Sequence, residues 1–157
     1  MAQEIERKYL VTGNEWQGET GTRIDIVQAY LAIEESVQIR VRIIDGARAA
    51  LTVKAGAPGL VRDEYEYAIP LADAQAMLAL RRGSLIEKTR MVIPRDGLVW
   101  EIDAFHGVHE GLVLAEVELN DAAHDVPLPP WVGQEVTDDA RYYNAVLARN
   151  PISADDI

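Results

Sequence analysis

The 157-residue chain has no cysteine, which removes disulfides, thiolate metal sites and cysteine nucleophiles together. Any metal must rest on oxygen or imidazole. It lacks an apolar run of about eighteen residues, the length a membrane-spanning helix needs. Nor is a secretory signal expected at this start, since Glu4 and Glu6 stand where such a signal has a basic start and an apolar stretch. The expectation is a soluble, cytoplasmic protein with no membrane partner. Aromatic residues make up only 6% of the chain, leaving few platforms on which a nucleoside could stack. The sequence contains no G-x-x-x-x-G-K-[ST] and no G-x-S-x-G, so P-loop and nucleophile-elbow chemistry are excluded. Positive charge is the minority sign: 15 Lys and Arg stand against 26 Asp and Glu, for a net charge of −11. That balance argues against generic nucleic-acid binding, which needs a basic footprint. Cations that converge on one surface would still make a basic site in an acidic protein.

What is present is alternation. Most of the chain repeats at period two between turn signals (TGNE, IDGAR, KAGAPGL, IPRDGL, FHGVHEG) that supply Gly, Pro, Asn or Asp at corners. This predicts an antiparallel, hairpin-rich single domain over residues 1–150, with 151–157 as a tail. VPLPPW, from Val126 to Trp131, is expected to be a rigid connection between a strand and a helix. Two stretches keep helical spacing instead. In PLADAQAMLALRRG, Leu71, Ala74, Met77, Leu78 and Arg81 share a face and Gly83 supplies a stop. In TDDARYYNAVLARN, Thr137 suits an N-cap and Ala140, Tyr143, Val146 and Leu147 form a stripe. A short helix at Glu15 to Gly18 is weaker, because Gly18 and Gly21 oppose it.

Seven strands each put a charged or polar pair at i, i+2 on one face and apolar residues on the other. Arg40 with Arg42 and Lys88 with Arg90 are purely cationic. Glu4 with Glu6, Glu64 with Glu66, Glu101 with Asp103 and Glu116 with Glu118 are purely anionic. The wet face of a half-buried sheet would intersperse signs, since like charges side by side repel. A sheet curled until it closes would instead turn these faces into a shared lumen, with apolar faces outward beneath helices and loops. Burying so many charges requires pairing, hydration or a charged ligand. A polyanion with a divalent metal meets that need.

In order along the chain, EIERK, RVR, TVK, EYE, EKTR, EID, EVE and VTDDARYYN resemble the CYTH family of triphosphate tunnel metalloenzymes, especially its short bacterial members. The resemblance runs from Glu4 to about Asn144. It implies a mainly β, α+β fold: a closed eight-stranded antiparallel barrel with a charged lumen and flanking helices. It also implies Mg²⁺ or Mn²⁺ and a small polyanion, tripolyphosphate or a nucleoside triphosphate, as cofactor and substrate. Matched by position, Lys8, Arg40, Arg42, Lys54, Lys88 and Arg90 are the expected phosphate ligands. Glu4, Glu6, Glu116 and Glu118 are the expected metal carboxylates, with Glu64, Glu66 and Asp103 binding metal directly or orienting its neighbours. Lys54, oriented by Tyr30, is a candidate base, and Lys88 a candidate to neutralise the leaving oxygen. The same family lumen serves inorganic, thiamine and RNA triphosphatases and a class of adenylyl cyclases, and a non-catalytic polyphosphate- or nucleotide-binding module also fits. Short connections and scarce aromatics favour hydrolysis of inorganic triphosphate, by a monomer or homodimer. Arg141, Tyr142 and Tyr143 either close a tunnel end or simply pack. His106 and His109, in a turn, lack the helical spacing of a zinc protease.

Overall fold

A computed structural model describes residues 2–56 and 61–156. Eight strands, β1 (Ala2–Val11), β2 (Thr22–Ile33), β3 (Val37–Ile44), β4 (Arg48–Ala55), β5 (Val61–Ile69), β6 (Arg82–Arg95), β7 (Leu98–Phe105) and β8 (Val113–Glu118), run antiparallel in the order β5-β4-β3-β2-β6-β7-β8-β1. Pairing of β1 with β5, from Ala2↔Glu64 to Ile5↔Val61, closes the barrel. A ninth strand, β9 (Val132–Glu135), takes over the same edge of β1 where β5 leaves it, at Tyr9↔Glu135 and Val11↔Val132. The expected eight-stranded barrel is therefore present with one added strand.

The hairpins form where the sequence placed them. Asp45 and Gly46, between β3 and β4, and Asp96 and Gly97, between β6 and β7, all have positive φ. Positive φ at both central residues marks an I′ turn, whose twist matches the strands it joins; two residues separate Arg95 from Leu98 and three separate Ile44 from Arg48. The KAGAPGL corner lies partly outside the described residues.

Apolar residues face outward, as an inverted barrel requires. On one side Tyr9, Trp100 and Trp131 stack with ring centroids 5.6 and 5.5 Å apart, and Trp16, from a 3₁₀ turn at Glu15–Gly18, lies in the same cluster. On another, α1 (Leu71–Met77) seats Ala74 over Ala29, Val41, Ile43 and Ala49. α1 is shorter than its periodicity implied. It tightens into a 3₁₀ turn at Leu78–Leu80, and Gly83 belongs to β6 at φ +78 rather than stopping a helix. VPLPPW connects β8 to β9, another strand, and anchors Trp131 in the outer core.

The last helix also differs from expectation. Thr137 is no cap: its hydroxyl accepts the Lys8 backbone N–H at 3.1 Å and donates to Glu135 at 2.6 Å. Asp139 instead accepts the Arg141 N–H, starting a 3₁₀ turn at Ala140–Tyr142 with Ala140 exposed. Only then does α2 (Asn144–Arg149) begin. Its Ala145, Leu147 and Ala148 pack with Ile86, Phe105 and Leu114. Those three share the lumen face, since they pair in register with Gln28, Lys88 and Asp103. α2 is thus an apolar stopper in one end of the barrel.

Candidate active site

Above the stopper lies a cavity of about 220 Å³, lined by seven cations and seven carboxylates among the described residues. It gathers Tyr30, all six expected phosphate ligands and six of the seven expected metal carboxylates: Glu4, Glu6, Glu64, Glu66, Glu116 and Glu118. Asp103 stands apart. It is buried on the lumen face outside the cavity, where Arg90 Nε and Nη2 donate to its two oxygens at 2.7 and 2.9 Å and Lys88 Nζ lies 2.8 Å from Oδ2. Burial alone would raise its carboxyl, but Arg90 and Lys88 outweigh that and hold it far below the usual range.

Toward the stopper the cations are fixed by the wall. Lys8 Nζ sits 3.3 Å from Glu116 and donates to the Tyr142 carbonyl at 3.0 Å. Lys88 donates to Asn144 Oδ1 at 2.9 Å and lies over the Phe105 ring. Arg42 donates to Gln28 Oε1 at 2.8 Å, and Arg90 also reaches Glu101 at 3.1 Å. The electrostatics record a local surplus of positive charge. Burial, reinforced by Arg90 and Arg42 and only partly opposed by Asp103, pulls the Lys88 ammonium down to about 7. An incoming polyanion would relieve it.

Elsewhere along the wall, Lys54 Nζ donates to both oxygens of Glu4 at 2.9 Å and lies 3.6 Å from Glu64. No hydrogen bond joins Tyr30 to Lys54 among the described residues, although both line the cavity. Arg40 Nη2 donates to Thr52 at 3.3 Å, which bonds Glu66, while the buried Arg40 Nε has no partner among the described residues. Glu66 and Glu118 are solvent-exposed.

Glu6 has no cation within ion-pair distance among the described residues. Burial first, then Glu116 and Glu4, push its carboxyl well up. Burial works the same way on Glu116, but Lys8, Arg90 and Lys88 overcome it, and its carboxyl lies well below the usual range. Two interacting carboxyls, one held charged and one inclined to stay neutral, suit a divalent cation. No three carboxylates or imidazoles among the described residues form a ready-made cage. That fits a hard cation such as Mg²⁺, which takes one or two protein carboxylates and completes its shell with water and phosphate oxygens.

Arg62 and Glu101 also line the cavity and were absent from the expected site. Arg62 lies 3.6 Å from Glu4 and donates to Gln38 at 3.3 Å. Counting two residues back from Glu64 and Asp103 along their strands finds both. Asn144 carries no sequence signal for its place. The histidines form no joint site: buried His109 Nε2 lies 2.7 Å from the Leu147 carbonyl, and exposed His106 bonds Thr89 at 2.8 Å. Tyr143 lines the cavity, Tyr142 is buried in the stopper and Arg141 is exposed.

The CYTH domain family model matches residues 2–144, and the chain belongs to this family. An inorganic triphosphatase of Acetivibrio thermocellus is 39% identical over 152 residues, covering 96% of each chain. That of Nitrosomonas europaea is 39% identical over 150 residues, 92% of this chain and 96% of that one. Among solved structures, the inorganic triphosphatase NE1496 superposes with a TM-score of 0.68 at 34% identity, covering 94% of this chain and 95% of that one. A Hippeastrum protein described as a putative adenylyl cyclase with dominant triphosphatase activity shares the fold, with a TM-score of 0.61 at 15% identity, covering 75% and 80% of the two chains. Family membership implies a divalent metal. Among the described residues no helix is long and apolar enough to cross a membrane.

Proposed function

We propose that the protein is a Mg²⁺- or Mn²⁺-dependent hydrolase that removes the terminal phosphate of inorganic triphosphate. The observation that carries this reading is the convergence of seven cations on one stoppered cavity that also holds, beside Glu116, a Glu6 with no ion-pair partner among the described residues. The cavity, at about 220 Å³, falls short of the roughly 300–1,000 Å³ of pockets that enclose drug-sized ligands. Nucleoside triphosphates are accordingly poorer substrates. The 39% identity to proteins named inorganic triphosphatase supports the same substrate.

Lys8, Arg40, Arg42, Lys88 and Arg90 bind phosphate oxygens, the guanidinium forks in bidentate fashion and the ammoniums as point charges. Glu4, Glu6, Glu116 and Glu118 are the residues that would hold metal, with Glu64 and Glu66 close by. A bound divalent ion would supply charge neutralisation at the phosphates and an acidified water. Asp103 serves as the counter-charge that aims Arg90 and Lys88. Lys88 neutralises charge on the leaving diphosphate. Lys54 Nζ donates to both oxygens of Glu4, so a role as base requires that contact to be exchanged.

Purified protein is given Mg²⁺ or Mn²⁺ and, separately, tripolyphosphate, ATP, thiamine triphosphate and diphosphate, with phosphate and cyclic AMP measured. Phosphate from tripolyphosphate in preference to the others is expected. Lys54→Met lowers turnover by about 10²-fold or more if Lys54 is the base. Tight tripolyphosphate binding without release under both metals would overturn hydrolysis, and cyclic AMP would redirect the assignment to a cyclase.

A further inference from the structure

Two neutral amides stand among the charges at the stoppered end. Gln28, on β2, is fully buried, and Asn144 is the first residue of α2 and lines the cavity. Asn144 Oδ1 accepts from Lys88 Nζ at 2.9 Å and from Gln28 Nε2 at 3.0 Å. Gln28 Oε1 accepts from Arg42 Nε at 2.8 Å. Ammonium and guanidinium groups have only protons to offer, so each must face an oxygen. That requirement fixes both amide orientations independently, and the two choices agree. Once Gln28 gives its oxygen to Arg42, its NH₂ is left for the oxygen of Asn144. The contacts run Arg42 to Gln28 to Asn144, meet Lys88 there, and continue through Asp103 to Arg90.

We propose that Gln28 and Asn144 are positioning residues: a neutral relay that aligns Arg42 with Lys88 and makes their alignment depend on the seating of α2. A carboxylate at either place would also orient the cations, but it would compete with phosphate for their charge. An amide orients them and leaves that charge available. α2 is thereby more than an apolar stopper, because its first side chain sets where two phosphate ligands point. For what these cations bind, the proposal rests on the triphosphatase reading; the relay itself does not.

The test compares wild type with Gln28→Met, Asn144→Ala, Asn144→Asp and the double variant Gln28→Met/Asn144→Ala. Tripolyphosphate binding is measured by calorimetry in chelator, and hydrogen exchange at Arg42 Nε–H by NMR in the ligand-free protein. Each of the single variants Gln28→Met and Asn144→Ala weakens binding by about tenfold, the scale of one hydrogen bond to a charged group. The double variant loses little more, because both changes break one relay. Exchange at Arg42 accelerates in the same variants. Asn144→Asp keeps the acceptor and the slow exchange but binds weakly, since its charge competes with phosphate. Losses that multiply in the double variant, or exchange at Arg42 that is unchanged in Asn144→Ala, would overturn the relay. Should Asn144→Ala fail to fold, Asn144→Ser carries the same comparison. Slow exchange in a wild type that neither binds nor hydrolyses tripolyphosphate would uphold the relay and sink the hydrolase reading.

Discussion

Asp103 accepts from one guanidinium through both of its oxygens and from an ammonium as well, in a place solvent barely reaches. Removing its charge leaves Lys88 buried without a carboxylate and Arg90 with Glu101 alone among the described residues, and one-sided loss of a buried pair costs about 3–5 kcal/mol. In a chain of this length each kcal/mol moves the melting temperature by about 2–4 °C. Asp103→Asn is therefore expected to lower the melting point of metal-free protein by about 10 °C. A direct metal ligand would behave differently: the metal-free melting point would hold, and only the gain on adding metal would shrink. Differential scanning calorimetry in chelator separates the two. The sequence showed that Asp103 faces the lumen, because period two fixes the face. It could not show depth, because depth follows from barrel tilt and from the stopper. Arg62 is the converse case. Its face is legible by counting from Glu64, yet Glu64 and Glu66 stand out as a like-charged pair and a lone cation two residues earlier does not.

The elements hardest to foresee are those whose physics is not written as a charge pattern. β2 is the barrel's eighth strand, but it sends Gln28 and Tyr30 into the lumen, so segregation of charge exposed seven strands and only the family resemblance supplied the eighth. α2 was displaced in sequence because Thr137, an apparent cap, is consumed by Lys8 and Glu135. Nothing local announces that use. β9 was likewise hidden in what looked like a lead-in to a helix. The seating of α2 depends on Gly83. A Cβ there would stand 2.4 Å from the Ala148 carbonyl oxygen, on backbone at φ +78. Gly83→Ala thus combines left-handed strain, about 1–2 kcal/mol, with displacement of the last turn of α2. A fall in melting temperature of about 5–10 °C is expected, together with weaker tripolyphosphate binding as Asn144 shifts. Gly46→Ala is the control, because Gly46 also has positive φ and so imposes the same strain, but a Cβ there meets nothing within 4 Å. Equal losses in the two variants would mean that backbone strain alone, and not the contact with α2, sets the effect.

At the scale of the molecule, the cavity balances seven cations against seven carboxylates, so the net −11 resides outside it. The exterior repels polyanions in general while the interior selects a short one. Inside, the carboxylates divide by the sign of their shift. Burial raises Glu6, Glu64 and Glu101, with Glu116 and Glu4 adding to Glu6. Cations outweigh burial and lower Glu4, Asp103 and Glu116. A raised carboxyl favours the folded state fully below its ordinary range, about 4.3 for Glu, and that contribution is lost as pH rises through the elevated value. A lowered carboxyl does the opposite, contributing above the ordinary range and failing as pH falls. Metal-free protein should therefore be most stable in mildly acidic solution and weaken from the ordinary glutamate range toward about pH 7, where Lys88, lowered to about 7, begins to lose its proton and acts the other way. Divalent metal binds ionised carboxylates, so the gain in melting temperature on adding Mg²⁺ or Mn²⁺ should grow across the same interval. Glu6→Gln, permanently neutral, should flatten the metal-free profile and forfeit most of that gain. The measurement is a set of thermal melts across pH in chelator and in excess metal. A metal-induced gain equal at both ends of the interval would exclude Glu6 from the carboxylates that metal meets, and would leave its burial beside Glu116 as a cost with no ligand to relieve it.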